Sequence, residues 1–311
     1  MPAADLPIHE NQLVRATMLD GIPIRSDVLS TNEKGEDKKS VQKRTEKILR
    51  KLRPALQRIL QPGETILYAM PARSPLSLLE QFMAAWWTAI LAACAIVLTN
   101  KRILFFPLKR NGSWRESVRA LHWGDLEEIK AAGLLVRNVS FKFKNRTKAT
   151  YTNLRRADAK KLTAIAAALI PVASGEQTAA HGLVQLCPDC CALLTPGQYS
   201  CLGCGLIFKN EKTMVLRSIL LPGGGYFYTG HPFIAIIPAI VEAFLVLEIL
   251  LILFAGLSSP KAVPDLFAGL LILVLFWALE TAVTILHCRR YVRDFIPQKR
   301  DPARAPAVDG R

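Results

Sequence analysis

Two long apolar stretches near the end of the sequence constrain its fold more than any other feature. They cover residues 233–257 and 266–286, and the segment 258–265 separates them. A helix of about 20 apolar residues crosses the ~30 Å hydrocarbon core of a bilayer, and a helix satisfies its own backbone hydrogen bonds where water is absent. The sequence therefore predicts a transmembrane hairpin of two helices within residues 214–288, preceded by a soluble head.

The distribution of charge predicts how this hairpin is oriented. The chain has 40 lysine and arginine residues against 25 aspartate and glutamate residues, a net charge of +15, and basic residues stand on both sides of the hairpin. Basic flanks favour the cytosolic side of a membrane. We therefore expect a multi-pass protein of the cell (inner) membrane, with the head and the basic tail of residues 289–311 in the cytosol. Residues 1–21 hold no apolar segment of signal-peptide length, which agrees with a head that is not exported.

Three glutamates, Glu242, Glu248 and Glu280, interrupt the apolar stretches. A carboxyl group within a bilayer is costly and is a candidate functional group by default. Glu242 and Glu248 lie on roughly opposite faces of a helix, whereas Glu280 could meet either one across the hairpin or between copies of the chain. Two roles stay open: carboxyls that hold helices together, and a cation path in a small oligomeric channel or transporter subunit. The first is favoured because two spans are too few for a transporter without oligomerisation.

Four cysteines in two CxxC pairs form the strongest local pattern: Cys187, Cys190, Cys201 and Cys204. Each pair can direct two thiolates at one ion, and the short segment between the pairs leaves room for a tight hairpin. The pattern resembles the zinc-ribbon family, within residues 183–210, and implies a structural Zn²⁺ with no open coordination position. Iron in a rubredoxin-like site is the main rival metal. Cys191 is expected to be a spare thiol or to exchange with Cys190.

Residues 41–61 predict an amphipathic helix with a basic face, because their apolar residues recur at helical spacing. The candidate membrane-surface or lipid-binding residues are Lys43, Arg44, Lys47, Arg50 and Lys51. Two interpretations stay open: a helix on anionic lipid, and a helix packed on the next domain with a solvated basic face. The narrow apolar stripe, which lacks aromatic anchors, favours the second. Residues 1–40 are polar and without periodicity, and we expect them to form a flexible arm.

Residues 62–172 predict one small unit of strands and a closing helix. Strand candidates cover residues 64–70, 95–106, 118–122 and 134–144, with 95–106 divided into two strands at Thr99 and Asn100, and the helix begins near Arg156. The order of these segments resembles bacterial pleckstrin-homology-like and GRAM-like domains, above all in the run Leu98-Thr99-Asn100-Lys101-Arg102-Ile103-Leu104. The resemblance implies an α+β head of a kind often found at membranes, where some members bind lipid or peptide.

One segment departs from that family pattern. Phe82–Leu98 contains no charge and includes Trp86 and Trp87, so it is either a short membrane span or a buried or interfacial helix followed by a strand. The second is favoured because the segment is at the lower limit of length for crossing a bilayer. The glycine-rich stretch 220–231 resembles the start of TM2-like small membrane domains, and its glycines 223–225 would permit a sharp turn.

The sequence contains no nucleophile elbow, P-loop, HExxH or dinucleotide fingerprint. We therefore expect no catalytic residues and a scaffold or sensor that holds a partner at the membrane. The partners expected are the lipid bilayer, with anionic lipid among its components, and a protein partner or a second copy of the chain. A membrane-tethered nucleic-acid binder that uses the basic helix is the third alternative. The absence of basic residues between Cys187 and Cys204 argues against nucleic acid at the ribbon.

Overall fold

The computed structural model describes residues 16–32, 34–74, 92–134, 136–173, 182–258 and 263–298, and it describes side chains outside residues 255–267. The chain divides into two compact units. The first runs to Thr195 and includes Cys201–Leu206, and the second comprises Pro196–Ser200 and the chain from Ile207 onward.

The described part of the first unit contains an eleven-stranded sheet. Nine strands are ordered β11-β10-β6-β5-β4-β3-β9-β8-β7, and β1 and β2 attach through a parallel pairing of β2 with β3. The strands are β1 Thr17–Leu19, β2 Ile22–Ile24, β3 Ile66–Arg73, β4 Ala93–Thr99, β5 Arg102–Pro107, β6 Val118–His122, β7 Leu126–Ala132, β8 Val136–Phe143, β9 Lys148–Arg155, β10 Val184–Leu186 and β11 Leu193–Leu194.

Two consecutive antiparallel meanders and a helix form the body of this unit. Strands β3 to β6 pair in sequence order, strands β7 to β9 do the same, and β3 joins the two groups through β9. Helix α3, Arg156–Ala173, follows β9. Alternation explains β8, where Val139, Phe141 and Phe143 are buried and the residues between them are not.

The first meander is buried on both faces. In β4, Ile96 and Leu98 pack into a core that includes residues of α3, whereas Ala95 and Val97 pack into a second core that includes helix α2, Lys39–Ile59. Burial on both faces explains why β4 and β5 are apolar without alternation.

Helix α2 packs its apolar side on the second face of the sheet. Leu49, Leu52, Leu56 and Ile59 of this helix are buried in that core. The stripe of apolar residues is therefore covered by protein, and the opposite side of the helix carries the basic residues.

Residues 17–37, expected to belong to a flexible arm, are instead part of the first unit. Strands β1 and β2 form a hairpin whose turn residues Asp20 and Gly21 have φ angles of +50° and +82°, a turn that Asp-Gly favours. The hairpin and the short helix α1, Ser26–Leu29, bury apolar side chains in the two cores: Ile22, Ile24, Val28 and Leu29. These apolar groups are too short to give a periodic signal in the sequence.

The segment Phe82–Leu98 is divided between β4 and residues 82–91, which lie outside the described residues. Its second part forms a strand, as the favoured interpretation predicts. Arg73 and Ala93, on the two sides of the undescribed stretch, are register partners in one sheet. The alternative of a membrane span concerns residues that lie outside the described part of the chain.

The second unit is helical in most of its described part. It contains α4 Glu211–Leu220, α5 Gly224–Thr229, α6 Pro232–Ser258 and α7 Val263–Arg293. Two stretches, Pro232–Phe254 in α6 and Ala268–Arg293 in α7, are long and apolar enough to cross a membrane. The prediction of two such helices is confirmed, and α7 continues past its expected end at residue 286.

Two glycines bring α5 close to its neighbours. A Cβ at Gly223, whose φ is +65°, would lie 2.5 Å from the Ala235 carbonyl oxygen of α6. A Cβ at Gly225 would lie 2.3 Å from Ser218 Oγ of α4. The turn predicted at these glycines is therefore also a place of close contact among three helices.

Candidate metal centre

Four cysteine thiols from two loops meet at one point of the first unit. The Sγ atoms of Cys187, Cys190, Cys201 and Cys204 all lie within 4.8 Å of one another. Cys187 and Cys204 are 3.5 Å apart, and Cys190 and Cys201 are 3.4 Å apart. A tetrahedral ion with metal–sulfur bonds of about 2.3 Å separates its ligands by about 3.8 Å. The four thiols are therefore close enough together to bind one metal ion.

The two loops that carry the thiols repeat one hydrogen-bond pattern. Their first cysteines are Cys187 and Cys201. In each loop, the amide of the first cysteine donates to the carbonyl five residues later, and the amide four residues later donates back to the carbonyl of that cysteine, at 2.8–3.0 Å. This pattern closes each loop tightly and turns its two thiols toward a common point.

The fifth residue of each loop has a left-handed backbone. Gly205 has a φ of +72°, which glycine adopts readily. Cys191 takes the equivalent position with a φ of +60°, which is uncommon for a residue with a side chain. Its Sγ lies 3.6 Å and 3.8 Å from the carbonyl oxygens of Arg58 and Ile59. Cys191 thus stands apart from the four clustered thiols and contacts the end of α2.

Burial and mutual contact shift the pKa values of Cys187, Cys201 and Cys204. Burial raises the pKa of Cys187 well above its usual value and raises that of Cys204 to about 11. Burial acts in the same direction on Cys201, but backbone hydrogen bonds from Cys204 and Gly203 and contacts with other thiols outweigh it and lower the pKa of Cys201 to about 7. Binding a metal ion requires the buried thiols to release their protons to solvent.

The two loops are joined firmly to the rest of the first unit. Strand β10 pairs with β6, and Leu186, next to the first cysteine, is buried in the core that α2 shares. Arg58 of α2 and Asp189 of the first loop form an ion pair at 3.7 Å. A metal held by four protein thiolates has no position left for an activated water, so an ion here would stabilise structure rather than catalyse a reaction.

Arg44, a candidate lipid-binding residue of α2, is used inside the first unit. Its guanidinium pairs with the fully buried carboxylate of Asp158 and donates to the Tyr68 hydroxyl at 3.0 Å. Arg44 therefore contributes to the packing of the first unit, and its place at a membrane surface stays a prediction. The partner lies on α3, far along the sequence, and the helical pattern of residues 41–61 gives no indication of it.

The other basic candidates of α2 remain at the surface. Lys51 Nζ donates to the Asn111 carbonyl at 3.0 Å, and Arg50 forms an exposed ion pair with Asp20 at 3.4 Å. Exposed pairs of this kind contribute little to stability. The remaining exposed candidates are Lys43 and Lys47.

The threonine-asparagine-lysine-arginine run, residues 99–102, connects β4 to β5, and its first and last side chains are buried near the start of β3. Arg102, which is 2 % exposed, donates to both carboxylate oxygens of Glu64 at 3.0 and 2.9 Å and to the Ile59 carbonyl at 2.8 Å. Thr99 Oγ1 lies 2.8 Å from the Glu64 carboxylate, and the Asn100 side chain bonds the loop that precedes β3. Folding alone therefore explains these residues, without a ligand.

A buried cation lies near the Arg44 pair, and sequence reasoning missed it. Lys161 of α3 is 1 % exposed, and its ammonium donates to the carbonyl oxygens of Val28 and Thr31. The ammonium also lies 4.1 Å from the centre of the Tyr68 ring. The position of Lys161 in the sequence could have indicated its burial, because it lies one helical turn from Ile165 on the apolar side of α3.

The three glutamates of the apolar helices have different surroundings. Glu242 of α6 is 2 % exposed, Glu280 of α7 is half-buried, and Glu248 is exposed on α6. Glu242 Oε2 accepts a hydrogen bond from the Gly223 amide at 2.9 Å, and Glu280 Oε1 accepts one from the Thr284 hydroxyl at 3.2 Å.

Comparisons with known proteins assign no family to the chain. No family model and no curated protein matches it. One solved structure, the C-terminal domain of an unknown protein from Leishmania infantum, covers 39 % of this chain and 94 % of its own length, with 12 % identity and a TM-score of 0.26. A likeness with so low a TM-score carries no argument about fold or function.

Proposed function

We propose that this protein is a membrane-anchored, non-enzymatic scaffold or sensor whose pleckstrin-homology-like head binds lipid or protein at the cytosolic face of the cell (inner) membrane. One observation carries the proposal. A single chain combines two helices long enough and apolar enough to cross a membrane with a separate folded unit that contains the four-thiol cluster. Such a combination suits a protein that holds a partner at a membrane.

Two features of the head support this proposal. Its strands, the hairpin after β7 and the closing helix α3 follow one another in the order on which the family resemblance rests. The four thiols suit a structural Zn²⁺, with iron as the rival metal, because both ions accept a tetrahedral set of four thiolates. A metal bound there would stabilise β10 and β11 at the edge of the sheet.

The exposed side of α2 supports anionic lipid as the partner of the head. Lys43 and Lys47 are exposed and lie one helical turn apart, with the exposed Arg50 close by. Each lysine or arginine near an anionic membrane surface contributes about 1 kcal/mol of attraction. Because Arg44 binds Asp158, the proposed lipid surface is smaller than the sequence indicated.

Covalent lysine footprinting of the full chain in lipid nanodiscs tests this proposal. Discs that contain phosphatidylserine should shield Lys43 and Lys47 from the reagent relative to zwitterionic discs, and high salt should remove the difference. Lys160, exposed on α3, serves as the matched control and should react equally in both. Equal reactivity of Lys43 and Lys47 in the two kinds of disc would contradict anionic lipid and leave a protein partner or a second copy of the chain, which crosslinking in whole membranes would detect.

A further inference from the structure

The hairpin of β7 and β8 ends in an exposed apolar tip. Leu134 is 90 % exposed, and no large apolar side chain among the described residues is more exposed. Val136, at the start of β8, is 49 % exposed, and Ala131 and Ala132 at the end of β7 are also exposed. These four residues are called the apolar tip below. Apolar residues that are exposed singly are common on protein surfaces, whereas a group of them marks a surface that binds protein or membrane.

The backbone holds Leu134 in this exposed position. Gly133 has a φ of +110°, which residues with a side chain rarely adopt. A Cβ at Gly133 would lie 2.3 Å from the Val136 carbonyl oxygen, so the turn requires a glycine at this position. Ala132 and Asn138 are the last register partners of β7 and β8 before the turn. The exposure of the apolar tip is therefore a property of the folded hairpin.

Basic side chains surround the apolar tip. Lys130 is exposed on β7, one residue before the tip. Arg155, exposed at the end of β9, is the register partner of Val136, and the half-buried Arg137 follows Val136 in β8. Lys130 forms an exposed ion pair with Glu128 at 2.9 Å, so the two arginines carry the net positive charge next to the tip.

An apolar tip with basic neighbours is complementary to the surface of an anionic bilayer. Long basic side chains can keep their charge among the headgroups while apolar residues beside them reach the acyl boundary. Two strand residues span about 7 Å, which is close to the ~5–8 Å thickness of the headgroup region in each leaflet. A tip of this length can therefore cross the headgroup region while the neighbouring cations stay within it.

We propose that the apolar tip of the β7–β8 hairpin inserts into the headgroup region of an anionic membrane, with Arg137 and Arg155 against lipid phosphates. The presence of a bilayer beside the head is the one premise taken from the proposed function. The contact is separate from the basic side of α2, because it involves other residues and adds apolar insertion to the attraction between charges.

Photocrosslinking of the full chain in lipid vesicles tests this contact. Leu134→p-benzoylphenylalanine places a photoreactive side chain at the tip, and light should attach it to lipid in vesicles of phosphatidylcholine and phosphatidylserine. Mass spectrometry of the hairpin peptide identifies the adduct. The matched control is Thr147→p-benzoylphenylalanine, in the exposed turn between β8 and β9. Because this turn lies at the other end of β8, about 25 Å from the tip, it should form no lipid adduct.

Removal of a basic neighbour tests the role of charge. One lysine or arginine near an anionic surface contributes enough attraction to shift a binding equilibrium about fivefold. Arg155→Gln should therefore lower the yield of lipid adduct at position 134 by up to about fivefold. Arg146→Gln, in the exposed turn between β8 and β9, removes the same charge at the other end of β8 and should leave the yield unchanged.

The results at the tip and at α2 can be told apart. Absence of a lipid adduct at position 134, or equal adducts at positions 134 and 147, would overturn the insertion of the tip and leave the proposed function to the lysines of α2. Attachment to a protein instead of lipid in whole membranes would also overturn it. A lipid adduct at position 134, with Lys43 and Lys47 reacting equally in both kinds of disc, would support the tip and contradict the lipid surface on α2. If the variant at position 134 does not fold, Val136→p-benzoylphenylalanine carries the same test.

Discussion

The buried pair of Arg102 and Glu64 gives the sharpest prediction about the head. Replacing Arg102 with methionine keeps much of the side-chain volume but removes two hydrogen bonds to Glu64 and one to the Ile59 carbonyl. The Glu64 carboxylate then stays buried with the donors from Thr99 and the Gln61 amide alone. Breaking one partner out of a buried ion pair costs about 3–5 kcal/mol.

Amide hydrogen exchange of the full chain measures this cost where it arises. Each 1.36 kcal/mol changes an equilibrium about tenfold, so amides of β3, β4 and β5 should exchange about 150- to 5,000-fold faster in Arg102→Met. The matched control is Lys101→Met, because the Lys101 ammonium donates to the Pro62 carbonyl at the surface. The control should alter exchange by about twofold or less.

The outcome distinguishes a folding role of this motif from a ligand-binding role. If Arg102→Met leaves the exchange of β3, β4 and β5 within about twofold of the parent, the buried pair does not stabilise these strands. The conclusion that folding alone explains the threonine-asparagine-lysine-arginine run would then be refuted.

Three further predictions concern other parts of the molecule. Gly225→Ala places a Cβ 2.3 Å from Ser218 Oγ and should destabilise the second unit by about 1–3 kcal/mol, which circular dichroism should detect as a lower melting temperature. In the control Gly269→Ala, the new Cβ has its nearest neighbour at 3.9 Å, and the melting temperature should not fall. Burial and the neighbouring Asp158 raise the pKa of Tyr68, so the folded state keeps this proton while the unfolded tyrosine ionises above pH ~10. The free energy of unfolding should therefore fall as pH rises beyond that value, and Tyr68→Phe should remove part of this fall in thermal scans. Treating the chain with a chelator, which would remove an ion held by the four thiols, should speed amide exchange in β10 and β11, and added Zn²⁺ should reverse the effect. Exchange that does not respond to the chelator would contradict a structural metal.

Features that depend on neighbouring residues could be predicted from the sequence. Each cysteine loop closes within five residues, so the two CxxC pairs were enough to predict the cluster of thiols. The two apolar helices were predictable for a similar reason, since length and composition define them. In β4 and β5, a continuous apolar run with a bend at Thr99 and Asn100 was enough to predict two paired strands.

Features that depend on distant partners could not be predicted in this way. Arg44 resembles the other basic residues of α2, and only the packing of α3 brings Asp158 to it. The burial of Lys161 depends on the carbonyl groups of Val28 and Thr31, which belong to the segment expected to be a flexible arm. The hydrogen bond from the Gly223 amide to Glu242 likewise depends on how α5 and α6 pack together, which neither helix determines alone.

The side of the membrane on which the head lies tests the central claim most directly. Two variants, Ser113→Cys between β5 and β6 and Ser258→Cys at the end of α6, are treated with an impermeant maleimide in sealed vesicles of either orientation. The labelling of the parent protein, whose own thiols include the exposed Cys190 and Cys204, is subtracted from that of each variant. The account predicts labelling above that of the parent for Ser113→Cys only in inverted vesicles and for Ser258→Cys only in right-side-out vesicles. Labelling of Ser113→Cys from the outside, or release of the chain from membranes by alkaline carbonate, would contradict a membrane-anchored protein with a cytosolic head.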